Sequence, residues 1–506
     1  MPFASRHRWL VIVTVLMLIA AACGGSDDSS DNSSDDKPAD SSASSSADSK
    51  ADGGTQVEGL DIEVGECAVD ALDDADGVVD LTMWHALAAQ SKTALEQQAD
   101  RYNKSQDRVR LTVIEQGSYD QLQDKLRASL GSEELPALAI AEDTTTQFFI
   151  DTRSALPVQA CVDASGYDTS NLLPPWIAHY TVNDILMAIP FASSVPVLYY
   201  NKNAFRAAGL DPDDPPTTFA ELREADAAIV EAGAAEHGLS LKLDSWLVEH
   251  LVRRADELLV NNDNGRSARA DELLISTPLV ADIWTWLQEE VANGGLVAVE
   301  DKSGQFDHFI AVANGSSAMV IETSAAIATV RALTAGNSVD PGTSGLDTED
   351  VDLSKLDIAV APMPSFTELL GSSQVGGGGA FLMANASPEE QAAAWDFITF
   401  AMTPEEQATW HVESSYMPNN VLAVDEPAVK DLWASDPAYA AAFETFQNVD
   451  PDKARGPLIG PYQAIRDSIE DGMEAAVLNG DTPENGQKIS ESKGSSVLAD
   501  WNERAG

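Results

Sequence analysis

Across 506 residues, 30 Lys and Arg face 82 Asp and Glu, a net charge of −52, which repels nucleic acid and anionic lipid and leaves no basic run to offset it. With 44% hydrophobic residues the chain can bury two cores, since single cores stop growing near ~250 to 300 residues. No G-x-S-x-G elbow, H-E-x-x-H pair or P-loop occurs and the seven histidines are scattered, so catalysis has no visible machinery, although two distant carboxylates of the glycosidase kind stay open among so many acids.

Arg6, His7 and Arg8 form a positive start, and Trp9 to Ala22 is an apolar run too short to span a bilayer. Ala20-Ala21-Ala22-Cys23 then reads as a cleavage site resembling a bacterial lipobox, with Ala20 where that motif usually has Leu. Residues 1–23 are thus read as a lipoprotein signal peptide and Cys23 as the lipidation site. Residues 24–59 are mostly Ser, Asp, Gly and Ala with no aromatic residue, a composition that cannot bury a core and reads as a disordered acidic tether. Two cysteines remain, Cys67 and Cys161; export makes a disulfide the economical reading, with two buried free thiols as the alternative.

The first folded stretch alternates strand and helix. VVDLTMW has strand character, a helix runs from about Ser91 to Asn103 with Leu95, Ala99 and Tyr102 at helical spacing, and VRLTV alternates like a strand. GSYDQLQDKLRASL follows as a helix with Leu122, Leu126 and Leu130 on one face, and LPALAI is a short apolar strand. A βαβαβ order places the loops after parallel strands on one rim, where ligands normally sit, and His85, Tyr119 and Glu142 fall at or beside those loops.

From Ile189 to Leu222 the chain reads as a crossing between lobes: an extended IPFASS, a β-rich VPVLYYN, a proline-rich break at Pro212, Pro215 and Pro216, and a helix capped by Thr218 with Glu221. NNDNGR, after Trp246 to His250, reads as a tight turn; as a calcium loop it lacks the spaced carboxylates and final glutamate. Thr277-Pro278 opens a helix that ends at Gly294 with Ile283, Trp284 and Leu287 inward, and Ser387-Pro388 and Thr403-Pro404 begin two more.

PFASSVPVLYYNKNAFRAAGLDPDDPPTTFAEL resembles the central segment of the extracellular solute-binding proteins that feed sugar-type ABC importers, most closely the glycerol-3-phosphate-binding branch. WHALAAQSKTALEQQADRYNKSQ and QGSYDQL are similar to that family's first lobe. The resemblance implies an α/β, two-lobed periplasmic-binding-protein (Venus-flytrap) fold with several chain crossings. The first lobe is then expected at 60–192 plus 320–375, with SSAMVIETSAAIA and LDIAVAPMP re-entering it, and the second at 193–319 plus 376–506, resuming at VGGGGAFLMA.

The same resemblance implies ligand roles for Tyr119, Glu142, Ser194, Trp246 and Tyr416, each of which on position alone would also suit a solvated loop or ordinary packing. Gly376 to Gly379 is either a flexible linker or a run of N–H groups able to cradle an oxyanion, with Gly378 and Gly379 as candidates; His85, Thr323 and Ser324 are further candidates. Two departures stand out. Leu243 sits where the branch has a second tryptophan, and Leu458 sits where it keeps an arginine for phosphate, leaving Arg455 as the nearest cation. The expected function is capture of glycerol-3-phosphate or a glycerophosphodiester, without cofactor or metal, for delivery to ABC permease subunits and their ATPase. The expected protein is an extracytoplasmic, lipid-anchored monomer. A neutral oligosaccharide is the alternative ligand; a surface glycosidase or a signalling receptor is the alternative of another class.

Overall fold

The computed structural model describes residues 60–132, 134–300, 307–335, 356–367, 374–447 and 449–505. Residues 1–59, read above as signal peptide, lipidation site Cys23 and acidic tether, lie outside the described residues.

Among the described residues thirteen strands form two main sheets and one small hairpin. β1 (Val79–His85), β2 (Val109–Glu115) and β3 (Leu138–Glu142) are parallel in the order β2-β1-β3, as the βαβαβ pattern predicts. The sheet also holds β4 (Ala155–Leu156); β5 (Thr181–Val182) and β6 (Ile185–Leu186) make the hairpin apart from it. β7 (Ile189–Ser194) belongs to this first sheet, whereas β8 (Pro196–Asn201), one residue later, belongs to the second. The crossing is therefore at Val195. Side chains of β8 alternate as a strand must: Val197 and Tyr199 join the first apolar core, Leu198 and Tyr200 the second.

The second sheet runs β10 (Leu296–Glu300), β9 (His237–Leu243), β11 (Ser317–Thr323), β8, β12 (Ile358–Pro362), with β8 antiparallel to both its neighbours. This corrects the expected lobe boundaries. β11 and β12 do not return to the first lobe; they flank β8 in the second. Conversely β13 (Gly376–Met383), expected to resume the second lobe, is a strand of the first sheet, antiparallel to β3, β4 and β7. The helices Pro388–Ala401 and Pro404–Ser414 place Trp395, Phe397, Ile398 and Trp410 in the first core as well, and the helix Tyr462–Val477 takes the chain back to the second. Apolar alternation marks a strand without saying which sheet it joins, so the error was in membership and not in the elements.

Local signals hold where chemistry fixes them. Ser118, Thr218 and Ser387 each make a complete capping box, and Thr277 caps Pro278–Asn293, which stops at Gly294 with a left-handed φ of 79°. The turn at NNDNG is a run of left-handed residues, Asn262, Asp263, Asn264 and Gly265 with φ between 55° and 74°, tied by Asn264 Oδ1, which accepts from the Leu259 and Val260 amides. Cys67, before β1, is joined to Cys161 in the helix Gln159–Ser165 by a disulfide within the first core.

Candidate functional site

The carboxyl ends of the strands open on a cavity of about 340 Å³, within the range of small-molecule sites, whose walls come from both lobes. Ala86 to Ala89, Ser118, Tyr119, Glu142, Gly377 and Tyr416 line one side; Lys242, Asp244, Trp246, Phe309, Glu322 and Thr323 line the other; Ser194 stands at the crossing and Arg466 between them. Of the residues singled out in sequence, Tyr119, Glu142, Ser194, Trp246, Thr323 and Tyr416 meet in this one cleft.

Each is placed by local structure. Tyr119 is the first residue of its helix. The reciprocal Ser118–Gln121 bonds fix that start, and Gly117, at φ 87°, admits the Gln121 amide where any Cβ would collide with it. Its hydroxyl is buried without a well-aligned partner, with only the Tyr416 hydroxyl at hand, and burial lifts its pKa well above that of a free phenol. Tyr416 follows the left-handed Ser415; its ring lies parallel to Trp410 with centroids 5.8 Å apart, and its carbonyl is 2.8 Å from His411 Nδ1. Because Trp433 donates to His411 Nε2, the proton sits on Nδ1 and is donated to that carbonyl; burial lowers this ring to about 4, so it stays neutral. Trp246 packs edge-on against His250, 4.4 Å between centroids.

Glu142 closes β3, and its Oε2 accepts from Thr144 Oγ1 at 2.7 Å. The Arg466 guanidinium reaches both its oxygens, Nη1 to Oε1 at 2.8 Å and to Oε2 at 3.0 Å, while Nε and Nη2 hold Glu249 at 2.9 and 3.1 Å. Burial, against the pull of Arg466, pushes the Glu249 carboxyl up to about 6. On the other wall Glu322 is desolvated, which would raise its pKa, yet the His308 ring at 2.8 Å and the Thr323 amide bring it below the usual carboxylate value.

Five sequence candidates lie elsewhere. His85 is 1% exposed, accepts from the Leu87 amide at 3.2 Å and is pushed by burial down to about 4; it props the wall at Ala86 to Ala89 from behind. Ser324 is wholly buried, its Oγ accepting from the Val195 amide. Gly378 and Gly379 are paired in β13 on both sides, and their missing side chains make room for the Tyr119 hydroxyl and the Tyr180 ring, so Gly377 and not the pair reaches the cleft. Arg455 turns away to Asp452, 3.1 Å distant. The guanidinium that lines the cleft is that of Arg466, eleven residues on. Tyr462, Ile465, Ile469 and Met473 mark the buried face of its helix, and an arginine beside that face in QAIRDSI was the available signal. Lys242, Asp244 and Glu322 carried no signal beyond being charges at strand ends.

A family model described as bacterial extracellular solute-binding protein matches residues 97–441, more than half of the chain. The chain belongs to the bacterial extracellular solute-binding proteins. As a solute-binding protein of the sugar-type importer class it is 25% identical over 423 residues to the sn-glycerol-3-phosphate-binding periplasmic protein UgpB of Yersinia pseudotuberculosis, covering 80% of this chain and 89% of that one. The homonymous protein of Salmonella typhimurium is 24% identical over 430 residues, covering 83% and 93%. Among solved structures, UgpB of Mycobacterium tuberculosis in complex with glycerophosphocholine superposes with a TM-score of 0.67 at 20% identity, covering 85% of this chain and all of that one. The cyclic alpha-maltosyl-1,6-maltose binding protein of Arthrobacter globiformis gives 0.64 at 20% identity, covering 84% and 100%. These superpositions establish the two-lobed fold. Among the described residues no helix is long and apolar enough to cross a membrane.

Proposed function

We propose that this solute-binding protein captures glycerol-3-phosphate or a glycerophosphodiester in the interlobe cleft and presents it to an ABC permease, held to the membrane as a monomer by a lipid on Cys23. The observation that carries the reading is the pairing of an acceptor, Glu142, with a guanidinium, Arg466, beside the buried Tyr119 hydroxyl and the Trp246 ring, in a cleft shared by both lobes. A carboxylate accepts from glycerol hydroxyls, and a buried phenol hydroxyl with only a poorly aligned neighbour gains from a better-placed ligand partner. Arg466 and Lys242 are the cationic side chains lining the cleft among the described residues, which suits a ligand with one anionic group. The likeness to the named glycerol-3-phosphate-binding relatives supports the same reading.

A neutral oligosaccharide is the second reading, favoured by the four carboxylates Asp120, Glu142, Asp244 and Glu322 on the lining and by the Trp246 and Tyr416 rings. Under either reading closure needs a ligand that binds the closed form better than the open one. Thermal melting with each ligand tests the choice: at ~100 times its dissociation constant a ligand adds about 2.7 kcal/mol. A shift with a glycerophosphate supports the proposal; a shift with a maltooligosaccharide and none with any glycerophosphate defeats it.

A further inference from the structure

Glu142 and Arg466 line the cleft, and Glu249 lies buried behind Arg466, the three forming a row from one lobe into the other. Glu142 ends a strand of the first sheet, whereas Glu249 and Arg466 sit on helices of the second core, Ser245–Arg254 and Tyr462–Val477. Their side chains are 16%, 1% and 11% exposed, so the ion pairs are hardly screened by solvent. All three guanidinium nitrogens are engaged by the two carboxylates. Glu249 alone would neutralise Arg466 within its own lobe, yet the guanidinium also reaches a carboxylate of the opposite lobe. The comparison is Arg269 with Asp151, another ion pair between the two cores, at 3.1 Å, which does not line the cleft.

We infer that Arg466 is a positioning residue: in the ligand-free protein it ties Glu142 across the cleft, holding the two lobes together through the binding site and aiming the carboxylate that the ligand must share. Oε1 of Glu142 takes one bond from Arg466, and Oε2 takes one from Arg466 and one from Thr144. A carboxylate has about four acceptor positions, so one is left for a ligand hydroxyl. A hydroxyl can therefore join without breaking the tie. An anionic group finds the guanidinium already committed and must draw Arg466 partly off Glu142. Glu249 is faced by Arg466, by the Tyr462 hydroxyl at 3.2 Å, and by the charges of Glu142 and Asp143. With Arg466 removed it can take up a proton, which lets an Arg466→Gln variant fold.

The inference uses the cleft as the ligand site, as proposed above, and its first test needs no ligand. Small-angle scattering of the ligand-free full chain is expected to show a larger radius of gyration in Glu142→Gln and in Arg466→Gln than in the parent, with Arg466→Lys in between. Identical scattering from all four overturns the tie; if Arg466→Gln does not fold, Glu142→Gln, which keeps the Thr144 bond, reads it. The second test is titration with sn-glycerol-3-phosphate, glycerophosphocholine and maltose. For whichever binds the parent, Arg466→Gln loses about tenfold in affinity, as for one hydrogen bond to a charged group, and that affinity varies with pH as Glu249, no longer held down by the guanidinium, keeps its proton to a higher pH than in the parent. Unchanged affinity at every pH overturns the positioning role. Failure of all three compounds to bind the parent counts against the proposed ligand class, and the scattering result then decides the tie by itself.

Discussion

Val195 and Ser324 exchange hydrogen bonds at the point where the chain passes between sheets: the Ser324 amide donates to the Val195 carbonyl at 2.8 Å, and the Val195 amide donates to Ser324 Oγ at 3.2 Å. Ser324 thus spends its hydroxyl on the crossing. Ser324→Ala leaves a buried N–H without a partner, a cost of about 1–3 kcal/mol. Thermal melting is expected to show the loss, with ligand affinity close to the parent's. A variant that melts like the parent but has lost its ligand would return Ser324 to the binding site.

Tyr119 should show the opposite trade. Its hydroxyl is buried and has no well-aligned partner in the ligand-free cleft, so Tyr119→Phe is expected to raise ligand-free stability by about 1 kcal/mol. The same change removes a ligand contact, with about tenfold weaker binding by calorimetry. Lower stability with unchanged binding would make Tyr119 a packing residue.

The second lobe contains a buried acid pair outside the cleft. Asp226 is pushed up to about 6, first by burial and then by its contact with Glu290, which Arg223 also pairs; His237 faces the same group. Folded Asp226 holds its proton to a higher pH than the unfolded value of 3.8, so its contribution to stability is complete below that value and is lost as pH rises through about 6. Thermal melts of Asp226→Asn between pH 4 and pH 7 are expected to fall less with rising pH than those of the parent. Parallel curves would show that the pair does not titrate in this range.

The bridge between Cys67 and Cys161 spans 94 residues of sequence. A loop of that size restricts the unfolded chain, and its loss costs ~2–5 kcal/mol in exported domains. Cys161→Ala is expected to lower the unfolding free energy from denaturant melts by that amount without affecting ligand affinity, and an unchanged midpoint would contradict it.

Much of the fold could be read from residues whose chemistry acts locally. Thr218 with Glu221 and Thr277 with Pro278 set helix starts through bonds within four residues, and IPFASSVPVLYYN, whose β-rich run reads as part of a crossing, contains Val195, where the chain passes from one sheet to the other. What failed depends on contacts far apart in sequence. β13 pairs with β3 and β7, and β11 and β12 pair with β8, choices that alternation in VGGGGAFLMA or SAMVIET does not record. The guanidinium of the cleft failed for the same reason. Arg455 is the nearer residue along the chain, but the helix beginning at Tyr462 carries Arg466 to Glu142, 324 positions away.

Isothermal titration calorimetry of the full chain with sn-glycerol-3-phosphate, glycerophosphocholine and maltose, beside Glu142→Gln, decides whether the cleft takes a glycerophosphate through that carboxylate. Saturable binding of a glycerophosphate is expected, weakened by about tenfold or more in Glu142→Gln. Binding of maltose alone, or glycerophosphate binding that Glu142→Gln leaves untouched, would contradict it.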